Sequence, residues 1–440
     1  MLGRRSAIDR WRKLVNMAAT AAVPALLLSM AGIAAADPGN QEEVFTPTAA
    51  VTLPNGQSVA KFDISFVDPV LEEYFLADRT NKAVDVVDTS SNTLAVQLLG
   101  TGAGGTFQGF TGNNDTSGPN GVVTVAHREV WAGDGNSTVK VIDLASQQTT
   151  HVIDTHGANR ADELCWDPRD NLVLIANDAE SPFPFVSLIS TTSYTVVQQI
   201  VMDGVHGPKA TNGIEQCQWS RQTGLFYLAI PEVNGPGDDT QPGAVAVISP
   251  QTMSVVKTFT IPISQCAGPQ GMALGPENQI LLGCNDPNKT VPSTVVINQH
   301  SGSVMHVLPG EDGADEVWFN DGDDHYFLAR SGGANPQQLG VVDAQQGRDD
   351  ASAPIGLPNT STTPHGTNHS VAADPIKNQV YVPIASNSGA TVCSSAGGSD
   401  AQGCIAVFTA ANDDEGQHGG GNNGRHHHGG DGDGDNGGHD

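Results

Sequence analysis

Apolar and polar residues alternate along most of this chain in short runs that are interrupted by turns. β-branched residues at a period of two, cut by Gly, Pro, Asn and Asp, are typical of short antiparallel strands. Three kinds of run recur in the same order: one ending in an Asp-Pro turn, a continuous apolar run, and an alternating run, as in Phe66–Pro69, Glu73–Ala77 and Val84–Asp88. A fourth run follows, for example Ser254–Phe259. The pattern therefore predicts an all-β protein built from four-stranded units.

The unit recurs roughly every 50 residues, and its first strand can be aligned at a single column. Seven residues occupy that column: Asp63, Asn120, Asp162, Glu215, Gln270, Asp315 and His369. Four strands at this period indicate a β-propeller, so we predict seven blades over residues 45–410. The last unit supplies only three strands, whereas the stretch Ala49–Leu53 has no unit of its own. We expect that stretch to complete the seventh blade and so remove the open sheet edges.

Several phrases of this repeat resemble a known family. Val141–Leu144, Gly268–Ala273 and Asn378–Val382 look like the YVTN-type propeller repeat of YncE-like exported proteins. The chain is also similar in architecture to seven-bladed lactonases. The resemblance covers nearly all of residues 45–410 and implies a seven-bladed propeller. The resemblance is compatible with two functions. The similarity to lactonases suggests lactone or ester hydrolysis or a lyase step, whereas the similarity to YncE-like proteins suggests non-catalytic binding.

Residues 1–36 have the features of a secretory signal peptide. Residues 1–13 carry five basic residues against one acid, residues 14–36 carry no charge, and Ala34–Ala36 precedes Asp37. An uncleaved membrane anchor is the rival interpretation, which the Ala-rich sequence and the small-residue cleavage site disfavour. We therefore expect a periplasmic or secreted protein without a membrane span after cleavage. A short linker, 37–44, would lead into the propeller.

The C-terminal segment 411–440 differs abruptly from the rest of the chain. It is rich in Gly, His and Asp, includes the run His426–His428, and has no apolar residue after Asn412. Nothing in such a segment can pack, so we predict a disordered tail. Loose capture of metal ions and plain solvation remain alternative interpretations of its composition.

The charge of the chain restricts its partners. Lys and Arg number 20 against 48 Asp and Glu, for a formal net charge of -28. Phosphate backbones and anionic membrane surfaces would be repelled, which argues against nucleic-acid binding. Metal ions or cationic partners fit better. We expect a monomer that binds a small-molecule substrate or ligand.

The aligned column is the candidate site, because the first strand of each propeller blade lines the central channel. Its seven members are all polar, and the next position adds Glu163, Gln216, Glu316 and Ser370. One interpretation is that channels are wet and need no function to be polar. The other is that crowded carboxylates raise one another's pKa or recruit a cation. Oxygen ligands favour Ca²⁺ or Mg²⁺, so we predict a divalent metal held by Asp162, Glu215, Asp315 and His369.

Histidines in the loops that enter the first strands form a second candidate cluster. His156, His206 and His365 each precede a column residue and would emerge at the same face as His369. A lone loop histidine is usually solvated, but several at one face could bind a transition metal or transfer protons. We predict substrate binding by His156, His206, His365, Asn120 and Gln270. The candidate catalytic residues are His369, Glu215 and Asp162.

The six cysteines of an exported chain can pair completely. Given the propeller, Cys393 and Cys404 bracket one loop of blade seven, and Cys266 and Cys284 lie at strand ends that antiparallel pairing brings together. Cys165 and Cys217 remain on adjacent inner strands, where they could bridge two blades or stay buried as thiols. Sequence alone does not fix the connectivity.

Signatures of common hydrolases and of Walker-type nucleotide-binding proteins are missing. The chain has no Gly-x-Ser-x-Gly elbow, no His-Glu-x-x-His motif and no phosphate-binding glycine loop. We therefore predict an exported, metal-assisted hydrolase or lyase acting on a small lactone- or ester-like substrate at one mouth of the channel. The alternative is a non-catalytic, metal- or ligand-binding propeller of the YncE type.

Overall fold

The computed structural model describes residues 44–284, 293–309, 314–330, 338–344, 359–362 and 369–410. The predicted signal peptide 1–36, residues 37–43 of the linker, the tail 411–440 and His365 lie outside the described residues.

The described strands form seven four-stranded antiparallel sheets. In chain order their bounds are β1 Phe45–Val51, β2 Phe62–Asp68, β3 Glu73–Asp78, β4 Ala83–Asp88, β5 Thr93–Leu98, β6 Val122–Val125, β7 Glu129–Asp134, β8 Thr138–Asp143, β9 Gln148–Asp154, β10 Leu164–Asp167, β11 Leu172–Asn177, β12 Phe185–Ser190, β13 Thr195–Val201, β14 Cys217–Ser220, β15 Leu225–Ile230, β16 Gly243–Ser249, β17 Ser254–Ile261, β18 Pro269–Leu274, β19 Gln279–Cys284, β20 Ser293–Asn298, β21 Val304–Pro309, β22 Ala314–Asn320, β23 His325–Arg330, β24 Gln338–Asp343, β25 Asn359–Thr362, β26 Ala372–Asp374, β27 Gln379–Ile384 and β28 Cys404–Ala410.

Helical structure is minor in the described part of the chain. It consists of the single-turn segments Pro54–Gly56, Asn114–Thr116 and Pro276–Asn278 and one short helix, α1, Val392–Ser395. Within the described ranges, none of these helices has the length and apolar character needed to cross a membrane.

The sheets are the blades of a seven-bladed β-propeller, as predicted. Blades one to six take four consecutive strands each, beginning with β2, β6, β10, β14, β18 and β22. Blade seven has the order β26, β27, β28 and β1. The predicted closing strand is confirmed, although it begins and ends earlier than Ala49–Leu53, with Phe45 opposite Ala410 and Val51 opposite Ile405.

The alternation of apolar residues follows the position of each strand in its blade. In β3, every residue from Glu73 to Asp78 is buried, because neighbouring blades pack against both of its faces. In β5, the outermost strand of the same blade, exposed and half-buried residues alternate over much of Thr93–Leu98. Outer strands therefore keep the period of two, while inner and middle strands have more continuous burial.

The recurring Asp-Pro turns have a local cause. The carboxylates of Asp68, Asp167 and Asp374 each accept a hydrogen bond from the backbone N–H two residues later, at distances of 3.0, 2.8 and 2.9 Å. Such side-chain turns end the first strand of a blade and direct the chain into the second. The ring closes because the first strand of every blade contacts the first strands of both neighbouring blades.

All six cysteines are paired in disulfides. The bonds Cys393–Cys404 and Cys266–Cys284 confirm the two predicted pairings. The third bond joins Cys165 of β10 to Cys217 of β14 and so links blades three and four. Three disulfides indicate an oxidising, non-cytoplasmic environment.

Candidate functional site

One mouth of the central channel is built around Arg79, which the sequence analysis did not single out. Antiparallel pairing of β3 with β2 puts Asp78 opposite Phe62, so Arg79 reaches the column residues. Its guanidinium pairs with Asp63 and donates to Asn120 Oδ1 at 3.0 and 2.7 Å. Although burial opposes it, Arg79 together with His369 holds the pKa of the Asp63 carboxyl below its usual value. Asp63 is therefore a paired carboxylate.

His369 lies between two column carboxylates. Its Nε2 is 2.8 Å from Asp63 Oδ1, and its Nδ1 pairs with Asp315 Oδ2. Burial works against the charged imidazole, yet Asp315 and Asp63 together raise the pKa of His369 well above its ordinary value. The ring is therefore held as an imidazolium with both nitrogens engaged.

A second arginine, Arg160, occupies the neighbouring part of the same mouth. Its Nη2 atom lies 2.8 Å from Asp162 Oδ2 and 2.6 Å from Asp178 Oδ2. Burial raises the pKa of Asp162 well above its usual value despite this pairing. Its other oxygen, Oδ1, is buried and accepts no hydrogen bond from any described residue. Half of this carboxyl group is thus without a donor.

Glu215 is the column residue with the most unusual electrostatic surroundings. Burial, followed by repulsion from Asp315, Asp178 and Asp162, raises the pKa of its carboxyl well above the usual range. We call this end of the channel the acidic mouth, defined by one set of charged side chains: Asp63, Arg79, Arg160, Asp162, Asp178, Glu215, Asp315 and His369. Five acids face three basic groups, so the mouth has an excess of acidic groups.

The predicted metal ligands lie at the acidic mouth, but their pairing differs from a metal cluster. Within the part of the chain that the structure describes, no three His, Cys, Asp or Glu side chains are arranged to hold a metal ion. His369 has a carboxylate on each nitrogen, and Asp162 is paired with Arg160. The sequence suggested that a metal ion neutralises the carboxylates of this mouth. Arg79, Arg160 and His369 neutralise much of that negative charge.

The predicted substrate-binding residues have varied surroundings. The side chains of His156 and His206 are 68% and 66% exposed and pair with Asp154 and Asp203 of their own loops rather than with column residues. Asn120 is fully buried, and its amide, which accepts from Arg79, donates to the backbone oxygen of Ala161 at 2.8 Å. Only His369 of the predicted histidine cluster thus lies within the described acidic mouth.

Gln270 lies on β18, half-buried. It is the residue that blade five contributes to the aligned column, and the sequence predicted that it binds substrate.

Below the acidic mouth lie Glu163, Gln216 and Glu316, which we call the waist. Gln216 Nε2 donates to Glu316 Oε2 at 2.9 Å, and Gln216 Oε1 accepts from the backbone N–H groups of Met272 and Val317. One glutamine thereby joins blades four, five and six across the axis. Burial, then the mutual proximity of the carboxyls, raises the pKa of Glu163; burial, then Asp315, raises that of Glu316.

The opposite mouth is aromatic, a feature that the sequence analysis missed. A cavity of about 230 Å³ extends from the waist along the first strands of blades one to six. Its wall includes one set of aromatic side chains, which we call the aromatic mouth: Phe66, Trp166, Trp219, Trp318 and Phe319. Each of these residues lies at or near the end of a first strand, close to the turn into the second. Recurrence of aromatic residues at that position was the available signal.

Comparisons with known proteins identify the fold and leave the family open. No family model and no curated protein matches the chain. The solved structure of Kuenenia stuttgartiensis hydrazine synthase is similar at a TM-score of 0.55 and 13% identity, over 75% of this chain and 93% of that chain. A chain in the crystal structure of the mitotic checkpoint complex is similar at a TM-score of 0.57 and 12% identity, over 89% of this chain and 99% of that chain. Identities this low support the shared fold alone.

Proposed function

We propose that this protein is a non-catalytic binding propeller whose acidic mouth takes up a positively charged ligand. The observation that carries the proposal is the state of Glu215 and Asp162. Burial and the surrounding acids raise the pKa of Glu215, and Asp162 has a buried oxygen without a donor among the described residues. A cation placed between these groups would relieve their repulsion and supply the missing partner. The resemblance of the repeat to YncE-like proteins supports a binding role.

The ligand class follows from the donor set. Glu215, Asp162 and Asp315 offer carboxylate oxygens, whereas His369, the one imidazole among the described residues of the mouth, is engaged on both sides. Oxygen ligands alone suit Ca²⁺ or Mg²⁺ better than a transition metal. Ca²⁺ would sit at Glu215 and the free oxygen of Asp162, with water completing its shell.

Calorimetric titration of the full chain with CaCl₂ tests this proposal. The variant Glu215→Gln keeps the size of the side chain but cannot form the carboxylate that would bind the ion, so it should weaken Ca²⁺ binding about tenfold. Glu277 is exposed on blade five and is the matched control, since Glu277→Gln should change affinity less than about twofold. Comparing full-length variants cancels any metal captured by the tail. Identical isotherms for the wild type and Glu215→Gln would refute the assignment.

A hydrolase or lyase is the second candidate, and one observation favours it. Burial and acidic neighbours raise the pKa of the Glu215 carboxyl, and a carboxyl with a raised pKa can serve as a general acid or base. Lactones and esters are the substrate classes that the architecture suggests. A panel of such substrates should show turnover that Glu215→Gln lowers by about 100-fold. Turnover that is equal in both proteins, or absent throughout the panel, would count against catalysis.

We also infer export from the N-terminal sequence, to which the three disulfides add support. Cleavage after Ala36 would leave Asp37 as the first residue. Mass spectrometry of the protein from the culture medium or periplasm checks the cleavage site. A protein that retains residues 1–36 in the cytoplasm would contradict the inference.

A further inference from the structure

The aromatic mouth forms a cavity with walls and a floor. Phe66, Trp166, Trp219 and Trp318 line its sides, and the waist residue Glu316 lies at its base. Glu316 is 1% exposed, so its carboxyl is closed off from bulk solvent. None of the residues that define the acidic mouth lines the cavity, and Gln216, at its base, hydrogen-bonds to blades five and six.

The walls are held rigidly. Trp166 directly follows Cys165, whose disulfide to Cys217 ties its strand to the one that carries Trp219. The guanidinium of Arg169 lies 5.4 Å from the centre of the Trp219 ring. Phe66 meets Trp318 edge to face at 5.5 Å between ring centres. Aromatic groups fixed in this way lose little freedom when a ligand binds.

Polar atoms without partners point to a ligand. Glu316 Oε1 is buried and receives no hydrogen bond from any described amide or hydroxyl donor, and the Glu316 carboxyl hydrogen-bonds the carboxyl group of Glu163. The indole N–H groups of Trp166 and Trp219 are likewise buried without an acceptor among the described residues. Leaving such groups buried and unpaired is unfavourable, so a ligand that pairs with them gains affinity. A ligand that offers a positive centre to Glu316 and a hydroxyl or carbonyl oxygen to an indole would satisfy both kinds of atom.

The charged residues of the cavity wall favour a ligand with a positive charge. None of the described residues lining the cavity is basic, whereas Glu163 and Glu316 are both acids. The faces of indole and phenyl rings attract cations, most strongly where water is excluded. An apolar cation gains from both the rings and the acids, while an anion would lose by approaching either.

We propose that the aromatic mouth is a binding site for a small organic ammonium ion with an apolar body, of the quaternary ammonium class. Its methyl groups contact the rings of Trp166, Trp219 and Trp318, and its charge faces the floor at Glu316. A hydroxyl or carbonyl oxygen on the ligand accepts a hydrogen bond from a buried indole. The proposal does not depend on cation binding at the acidic mouth.

Choline and its neutral isostere 3,3-dimethylbutan-1-ol are the probes for the test, because they share shape and hydroxyl group and differ in charge. Titration into the full chain, followed by tryptophan fluorescence and calorimetry, should give choline an affinity at least about tenfold higher than the isostere. Equal affinity would make the site merely apolar and overturn the proposal. The absence of any signal up to about 10 mM choline, which corresponds to a binding free energy weaker than about 3 kcal/mol, would overturn it too.

Two variants locate the binding. Trp219→Leu removes one aromatic wall, and Glu316→Gln replaces the acid of the floor by an amide of similar shape. Each should weaken choline binding by about tenfold or more. Glu277→Gln, exposed and outside the cavity wall, should stay within about twofold of the wild type. The wild-type comparison of choline with the isostere remains decisive if either variant fails to fold, and retention of full affinity in Glu316→Gln would contradict the role of the floor.

Discussion

Buried polar atoms have different surroundings at the two mouths of the channel. At the acidic mouth, Arg79, Arg160 and His369 pair with column carboxylates. At the aromatic mouth, the polar atoms of Trp166 and Trp219 are buried without partners among the described residues. Paired charges mainly stabilise the protein that contains them, whereas unpaired atoms in a preformed cavity are available to a ligand. The paired carboxylates therefore serve stability, while Asp162 Oδ1 at the acidic mouth and the indole N–H groups at the aromatic mouth are the atoms without partners among the described residues.

Removing one basic partner should have the largest effect on this comparison. Arg79→Ala leaves Asp63 and Asn120 without their buried donor, so we expect the free energy of unfolding to fall by about 3–5 kcal/mol. Urea denaturation measures the change. Arg221, whose residue is exposed, is the control, because Arg221→Ala should cost less than about 0.5 kcal/mol. A loss below about 1 kcal/mol for Arg79→Ala would mean that the pairing does not stabilise the acidic mouth.

The disulfide at the aromatic mouth should come next. Replacing Cys165 and Cys217 by Ser opens a link with a sequence separation of 52 residues, against 11 for Cys393 and Cys404. We expect a loss of about 2–4 kcal/mol, larger for the first pair than for the second, because longer loops restrict the unfolded chain more. Thermal unfolding of the two double variants gives the ranking. The reverse order would show that native-state packing, rather than chain entropy, decides the effect.

The pH dependence of stability should report on the channel acids. Burial raises the pKa of Asp162, Glu163, Glu215 and Glu316 in the folded protein, and carboxylate neighbours raise that of His369 despite its burial. The folded state then binds more protons than the unfolded one above pH of about 4, so stability falls as pH rises.

We expect the free energy of unfolding to drop by about 1–2 kcal/mol or more from about pH 5 to about pH 8. Differential scanning calorimetry across this range measures it. Glu215→Gln should make the slope shallower, because one of the protonated groups is gone. A stability that rises with pH over the same interval would contradict the assigned directions.

The smallest effect should come from the aromatic mouth itself. Trp166→Phe removes a buried N–H that has no acceptor among the described residues, so the lost ring area and the removed unpaired donor largely offset each other. We expect the free energy of unfolding to change by less than about 1 kcal/mol. Urea denaturation beside Arg79→Ala gives the comparison. A cost as large as that of Arg79→Ala would show that both mouths are equally structural.

The fold could be predicted from the sequence because the repeat depends on interactions between residues that are close together in the chain. Alternating strands and Asx turns such as that of Asp68 depend on neighbours within a few residues. The aligned column correctly identified Asp63, Asp315 and His369 as residues that meet at one mouth. Two disulfides followed from the same geometry.

The chemistry of the site was less readable, since it depends on side chains from other strands. Arg79 and Arg160 lie outside the column, yet they decide which carboxylates are paired. Their signal was a charged residue just after a buried second strand or just before a first strand. Trp166 and Trp219 resembled core residues in sequence, because a channel wall and a packed core use the same apolar alternation. A channel wall can be distinguished from a packed core only from the arrangement of the blades around the axis.

Blade seven draws its strands from distant parts of the chain, which has a consequence for biosynthesis. Thr48 donates to the backbone oxygen of Val407 across a separation of 359 residues, and Phe45 packs on Phe327 at 5.1 Å between ring centres. Residue 410 must therefore leave the ribosome before β28 can pair with β1 and close the propeller. Until then β1 has no partner strand, so a partly synthesised molecule leaves an unpaired strand edge and apolar side chains exposed.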